Sequence, residues 1–443
     1  MRKILSNLLS QDKKNSLHKL QAQWAGFRHG HPGQKIKLIG VTGTKGKTTV
    51  CSMIASVLDA AGIKNAMETT ISTKIGDELV YHTVKDKWVT TPPASVINKF
   101  LKRAVKAGCK YAIMEVTSQG IDQNRIHGLN FDLLVYTNLS HDHLEYHKTK
   151  ERYLEAKLKL FVDNPEAIFV INNDDANWNR FYQLPAQEKY LYSTKKSVEY
   201  GAVARKILLS ADRATFTAAY NDGHTVIDLN MPGEFNVGNA LAAFCAGLAL
   251  GIDEQKIKAG LERVDGVRGR MEAIHVSKKQ DFSVIVDYAH NPDSLKNVYE
   301  TVKGSIEKTG GRLIAVLGAT GRRDKTKRPI MGALAGKYAD LVIFTDEDPY
   351  DEDPMTIIEE VAAGIFKGSR ERNKWRLNRN YWKVLDRASA IHKAIKEAKK
   401  KDVVLITGKG AEEVMAVGLH EFVPYSDRKV VREELIRLFG EDR

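Results

Sequence analysis

Along this chain the apolar positions fall into short continuous runs separated by stretches of helical period. Residues 38–41 form one such run, closed by Gly43 and Gly46, and a helix-forming run at 50–61 follows. That order predicts a buried strand, a tight glycine loop and a helix. Further strand-like runs lie at 111–116, 131–137 and 167–172, with helical stretches at 93–107 and 150–161 between them. Residues 190–230 show shorter alternating runs with turn signals, which predicts an antiparallel β insert. A small-residue helix is expected at 236–250. A second series starts near Gly269, with strands expected at 283–287, 313–317, 341–345 and 403–407 and helices between. Strands alternating with helices predict parallel sheets covered by helices, with sites at the carboxyl ends of the strands.

The N-terminal stretch differs. Ile4, Leu5, Leu8 and Leu9, then Leu17, Leu20, Trp24 and Phe27, stand at roughly helical spacing in a basic context. This predicts a helix or two packed on the next domain, with a basic amphipathic segment lying on a membrane as the alternative. Polar interruptions and the lack of a small-residue cleavage site speak against a signal peptide.

The glycine loop reads Thr42-Gly-Thr-Lys-Gly-Lys-Thr-Thr49. Glycines let backbone approach phosphate oxygens, and the following helix aims unpaired N–H groups at them. Lys47 is placed to reach the terminal phosphates and the Thr48 hydroxyl to bind Mg²⁺. Val41 stands where the strict P-loop pattern has glycine, so the match is to a variant of that loop. The expected fold class is α/β: a central P-loop parallel-sheet ATPase domain at 37–268 and a C-terminal Rossmann-like α/β domain at 269–443, after a short segment at 1–36.

Composition narrows the partners. At 443 residues the chain is too long for one core, and 43% hydrophobic with 28% charged residues is that of a soluble globular protein. The net charge of +13 favours nucleotides and phosphorylated substrates. No aromatic-interleaved basic block suggests a nucleic-acid partner. Three cysteines without metal-ligand spacing suit a reducing cytosol, so a cytoplasmic location is expected.

Polar residues at strand ends carry the remaining chemistry. Glu115 closes one apolar run and precedes Thr117 and Ser118; the next run ends in Thr137, Asn138 and, a few residues on, His143. With Thr48 at a neighbouring strand end, these predict a Mg²⁺ site, since magnesium prefers oxygen ligands and bound phosphate.

Together the runs Thr42–Thr49, Met114-Glu-Val-Thr-Ser118 and Thr137-Asn-Leu-Ser-His-Asp-His143 resemble the Mur ligases of peptidoglycan synthesis. Tyr153-Leu-Glu-Ala-Lys157, Gly233-Glu-Phe-Asn-Val-Gly-Asn239, Gly269-Arg-Met-Glu272 and Asp287-Tyr-Ala-His-Asn-Pro-Asp293 extend the resemblance. Gly321-Arg-Arg-Asp324, Lys327-Arg-Pro329, Gly408-Lys-Gly410 and Ser426-Asp-Arg428 carry it to about residue 432. The branch it resembles most adds the third residue of the muramyl peptide. The resemblance implies an ATP-dependent ligase that activates a carboxylate as an acyl phosphate, which an incoming amino acid then attacks. It implies ATP contacts at Gly43, Thr44, Lys45, Gly46, Lys47, Thr48, Thr49, Asn138, Asn236, Asn239, Arg270, Asp287 and Asp324. Lys47, Lys157 and His290 would be catalytic. Two Mg²⁺ sites would use Thr48, Glu115, His143 and a Lys157 carbamylated by CO₂. The substrates, a nucleotide-linked muramyl peptide and an amino acid, would meet Thr90, Thr91, Thr117, Ser118, Arg125, Asp348, Tyr350, Gly408 and Glu412. A monomer is expected.

Two departures bear on the substrates. Family members carry an N-terminal domain that grips the UDP, whereas residues 1–36 are too few for a domain of ordinary size. A ligase for a folate-like or lipid-linked acceptor is therefore the alternative. In addition, an arginine that clamps the distal carboxylate of meso-diaminopimelate is expected in the motif occupied here by Glu347-Asp-Pro-Tyr350. Tyr350 has no such charge, and Asp346, Glu347, Asp348 and Asp351 make the loop acidic. This predicts a preference for a lysine-like amino acid. Ala411 also stands in place of a motif histidine.

Overall fold

The computed structural model describes residues 11–82, 90–140, 144–210, 213–221, 223–264, 266–368 and 375–440. The chain divides into two compact units. Met1–Leu208, Ala214–Asn230 and Glu234–Asp265 form the first, and Gly266–Arg443 with two short pieces, Leu209–Arg213 and Met231–Gly233, the second.

The first unit is built on a sheet of eleven strands among the described residues. In chain order they are β1 (Lys37–Thr42), β2 (Asn65–Glu68), β3 (Ser72–Ile75), β4 (Glu78–Tyr81), β5 (Tyr111–Glu115), β6 (Leu133–Tyr136), β7 (Ile168–Asn172), β8 (Glu188–Ser193), β9 (Gly201–Leu209), β10 (Ala214–Tyr220) and β11 (Gly223–Leu229). Their spatial order is 11-10-9-8-7-6-1-5-2-3-4. From β2 through β9 neighbours run parallel, and β1 sits between β5 and β6. Burial on both faces explains why β1 reads as a continuous apolar run instead of an alternation. On one face Leu134, Phe161 and Phe169 belong to a core that also takes in Ile97 and Phe100 of the helix Ala94–Lys106. On the other, the helix Lys47–Ala60 meets Glu254–Glu262, where Ser56 Oγ donates to the Gly260 carbonyl at 2.6 Å.

Two expectations need correcting. The stretch at 190–230 is not a separate antiparallel insert: β8 and β9 continue the parallel sheet, while β10 and β11 pair antiparallel at its edge. Alternation in sequence reports a half-buried strand and says nothing of its partner's direction. The helix Gln11–His29 does pack on its domain, but through the opposite face from the one its large apolar residues suggested. Ala22 and Ala25 lie buried against Ala94, while Leu17, Leu20, Trp24 and Phe27 are exposed. Alanines let the two helix backbones approach closely.

The second unit carries β12 (Glu272–Ile274), β13 (Ser283–Asp287), β14 (Leu313–Leu317), β15 (Leu341–Phe344), β16 (Tyr381–Lys383) and β17 (Val403–Thr407), in the order 12-13-17-14-15-16. All pairs but β12–β13 are parallel. A fully buried ion pair ties its helices to the sheet. Arg387, first residue of the helix Arg387–Glu397, donates to both carboxylate oxygens of Asp427 at 2.8 and 2.7 Å. It also donates to the Asp346 and Thr407 carbonyls just beyond β15 and at the end of β17, so its polar edge is well matched.

Candidate active site

The carboxyl ends of β1, β5 and β6 converge on the glycine loop. Gly43 has φ 151°, and a Cβ there would lie 1.9 Å from Thr137 Oγ1, so the loop can lie this close to the end of β6 only with glycine. Thr137 Oγ1 donates to the Lys45 carbonyl at 2.7 Å. Asn138 holds the same residue from both sides, accepting from Lys45 N–H at 3.0 Å and donating to its carbonyl at 3.1 Å. Asn138 is thus a brace for the loop. Thr44 Oγ1 meets Tyr153 Oη at 3.1 Å and accepts from Ser140 N–H at 3.0 Å. Gly46, with φ 84°, caps the helix that begins at Lys47.

Charge gathers at the mouth of this loop. Lys47 Nζ donates to the Gly43 and Thr44 carbonyls at 3.2 and 2.9 Å and stands 3.9 Å from Glu115 Oε1. Glu115 Oε2 accepts from Thr48 Oγ1 at 2.9 Å, from Thr70 N–H at 3.0 Å and from Thr70 Oγ1 at 2.9 Å. Thr49 is buried one residue further into the helix. A buried carboxylate beside two hydroxyls is a set of hard oxygen donors, which fits Mg²⁺. Among the described residues no group of three or more His, Cys, Asp or Glu could hold a metal by itself, so an ion here would complete its shell with phosphate and water. His143 lies outside the described residues.

Lys157, on the helix Lys150–Val162, is 1% exposed. Its Nζ donates to the Gly43 carbonyl at 2.8 Å and lies 4.6 Å from the centre of the Tyr153 ring. Lys157 is therefore not a solvated surface lysine, and its amine belongs to the loop. Asn236 and Asn239 are both buried, with Asn239 Nδ2 donating to Asn236 Oδ1 at 3.2 Å, and Asn239 Oδ1 lies against Gly46.

A threonine network joins Glu115 to the neighbouring loop. Thr90 Oγ1 lies 2.8 Å from Thr70 Oγ1, and Thr91 Oγ1 donates to the Glu115 carbonyl at 2.9 Å. Thr91 Oγ1 also accepts from Thr117 N–H at 2.9 Å and from its hydroxyl at 3.1 Å. Arg125 donates to the Thr91 carbonyl at 2.8 Å, and burial pulls its pKa below the usual guanidinium value. Ser118 Oγ meets His147 Nε2 at 2.9 Å. Thr70 and His147 were missed in the sequence because β2 is too short to announce a strand end and His147 sits in a helix of four residues.

In the second unit the named residues divide into two groups. At the ends of β13, β15 and β17, Lys409 Nζ pairs with Asp348 at 2.7 Å and with Glu412 at 2.6 Å. Burial works against this ammonium, but Glu412 and Asp348 outweigh it and raise its pKa. Arg270 lies 4.7 Å from the Tyr288 ring centre, and Gly408 backs onto Glu347. Asp287 accepts from the Met271 and Ala289 N–H groups, each at 2.7 Å. His290 Nδ1 meets the Tyr288 carbonyl at 2.9 Å. Asp324 stands apart, exposed, accepting from Thr326.

The acidic loop is not an open negative field. Asp348 is paired with Lys409, and Asp351 with Arg322. Burial pushes Asp346 up to about 6 and Glu347 up to about 7. Counting carboxylates overstated the charge a ligand would meet.

Residues 41–247 match the Mur ligase middle domain and residues 269–410 the Mur ligase glutamate ligase domain. The UDP-N-acetylmuramoyl-L-alanyl-D-glutamate--2,6-diaminopimelate ligase of Clostridium tetani is 38% identical over 426 residues, 96% of this chain and 83% of that protein. A solved structure of a ligase with the same description has a TM-score of 0.67 at 30% identity, covering 95% of this chain and 83% of that one. Folylpolyglutamate synthase of Mycobacterium tuberculosis has a TM-score of 0.67 at 15% identity over 96% of both chains, a likeness of fold alone.

Proposed function

This chain belongs to the Mur ligase family, and from that premise we propose how its residues divide the work. The protein is an ATP-dependent acid–amino-acid ligase that adds the third residue in peptidoglycan precursor synthesis. The folate-like alternative is not favoured, since that relative is alike only in fold. No described helix is long and apolar enough to cross a membrane. A cytoplasmic monomer is the working form we propose.

The observation that carries the reading is the meeting of Lys47, Thr48 and Glu115 at the loop mouth. Lys47 and the N–H groups that open the helix Lys47–Ala60 hold the ATP phosphates. Thr48 and Glu115 would hold Mg²⁺, which when bound neutralises charge on the phosphate oxygens. The muramyl-dipeptide carboxylate attacks the terminal phosphorus, ADP leaves, and the amine of the third amino acid then displaces phosphate from the acyl phosphate. Thr90, Thr91, Thr117 and Arg125 line the acceptor side of this loop.

Lys157 is proposed to react with CO₂ as the neutral amine, forming an N–C bond and releasing a proton to water. Its support is burial together with its contact on the Gly43 carbonyl. ¹³C-bicarbonate NMR checks it: a carbamate signal present in the native protein and absent in Lys157→Ala supports the modification, and no signal in the native protein refutes it.

The third amino acid is a diamino acid. The relatives' names give diaminopimelate, while Tyr350, which offers no cation to a distal carboxylate, favours lysine as a second reading. Phosphate release and product mass with UDP-N-acetylmuramoyl-dipeptide, both amino acids competing, test the whole proposal. Lys47→Ala should lose roughly 10²-fold or more in rate. Near-normal release from that variant would refute the site, and equal incorporation of both amino acids would remove Tyr350 as a selector.

A further inference from the structure

The helix Gln11–His29 has two faces, and only one is accounted for by the fold. Ala22 and Ala25 face inward against Ala94. Leu17, Leu20, Trp24 and Phe27, at spacings of three, four and three, share the other face, where they are 48%, 63%, 60% and 73% exposed. A contiguous apolar strip of this kind on a folded surface marks an interaction site. Two of its four members are aromatic, the side chains best suited to the boundary between water and lipid.

Its surroundings are basic. Lys19 and Arg28 are exposed on the same helix, and the Arg28 guanidinium lies 5.0 Å from the centre of the Trp24 ring. The helix Ala94–Lys106, packed alongside, exposes Lys99, Lys102, Arg103 and Lys106. Lys102, Arg28 and Lys99 all lie close enough to His29 to disfavour its charged form, after the larger effect of burial. The nearby carboxylate of Glu78 is held by Arg103 at 3.6 Å. Asp122 accepts from Asn15 on the inner side of the Gln11–His29 helix at 3.4 Å.

We propose that this face docks on an anionic lipid surface, with Leu20, Trp24 and Phe27 entering the headgroup boundary and Lys19, Arg28, Lys99 and Lys102 meeting lipid phosphates. Charge complementarity selects the occupant: a second copy would bring the same positive rim against this one. Contact would be peripheral, since no described helix can cross a bilayer. The helix Ala94–Lys106 begins just after Thr91, so the docked face lies one helix away from the acceptor side of the loop.

The test is co-sedimentation of the full chain with vesicles of phosphatidylglycerol mixed equally with phosphatidylcholine, and with vesicles of phosphatidylcholine alone. Binding to the first and not the second, weakened by salt, is the expected result. A Trp24→Ser, Phe27→Ser variant and a Lys19→Glu, Arg28→Glu variant should each bind about tenfold more weakly. All four positions are exposed, so thermal melting should match the parent and exclude misfolding. Failure to bind anionic vesicles, or undiminished binding by both folded variants, overturns the proposal. So does a concentration-dependent dimer that the Trp24→Ser, Phe27→Ser variant abolishes, which would make the face an interface between copies.

Discussion

Glu68 closes β2 with both carboxylate oxygens buried and without a hydrogen-bond partner. It shares a face of the sheet with Ala66, which belongs to the apolar core, and burial pushes its pKa up to about 8. Below the ordinary carboxyl value both folded and unfolded chains hold the proton, and there is no penalty. Between that value and about 8 only the unfolded chain ionises, so stability falls as pH rises, by ~3–5 kcal/mol in all, and then levels off. Glu68→Met should therefore be more stable than the parent by a margin that grows from pH 5 to pH 8 in denaturant unfolding. A margin independent of pH would mean that the carboxyl is solvated. Neither Glu68 nor Thr70 was legible in the sequence, because a four-residue strand ending in Met-Glu carries no period. The loop residues were legible, since glycine spacing and strand-end polarity are direct consequences of holding phosphate. Their bracing by Asn138 and Tyr153 was not, because it depends on contacts between residues about a hundred positions apart.

Among the elements, the parallel strands could be read in advance wherever both faces are buried, as in β1, β5, β14 and β17. The short strands β3 and β4 could not: β4, at the edge of the sheet, is exposed throughout, so its residues answer to solvent and not to a core. The closing helix Asp427–Phe439 buries Val431 and Leu435 in the core and brings one charge with them. Asp427 is the carboxylate for Arg387, and both are fully buried. Asp427→Ala leaves that guanidinium without a counter-ion and should cost about 3–5 kcal/mol, seen as a lowered unfolding midpoint. Loss of less than about 1 kcal/mol would show that the two carbonyl contacts of Arg387 suffice.

At the scale of the whole molecule, the two units differ in how early each can be completed. The glycine loop of the first unit has all its described braces once Asn239 has been made. The second needs Asp427, forty positions after the arginine it neutralises. Domains fold in order as they leave the ribosome, and a lone buried guanidinium is too costly to form first. A nascent chain stalled with Asp265 emerged and Asp427 not yet made should carry a protease-resistant first unit joined to an open second one, and pulse proteolysis of arrested chains reads this directly. Protection of both units before Asp427 emerges would show that the second unit closes without this pair. Translation thus sets the order of maturation: the part that grips phosphate is finished while the remainder of the protein is still being written.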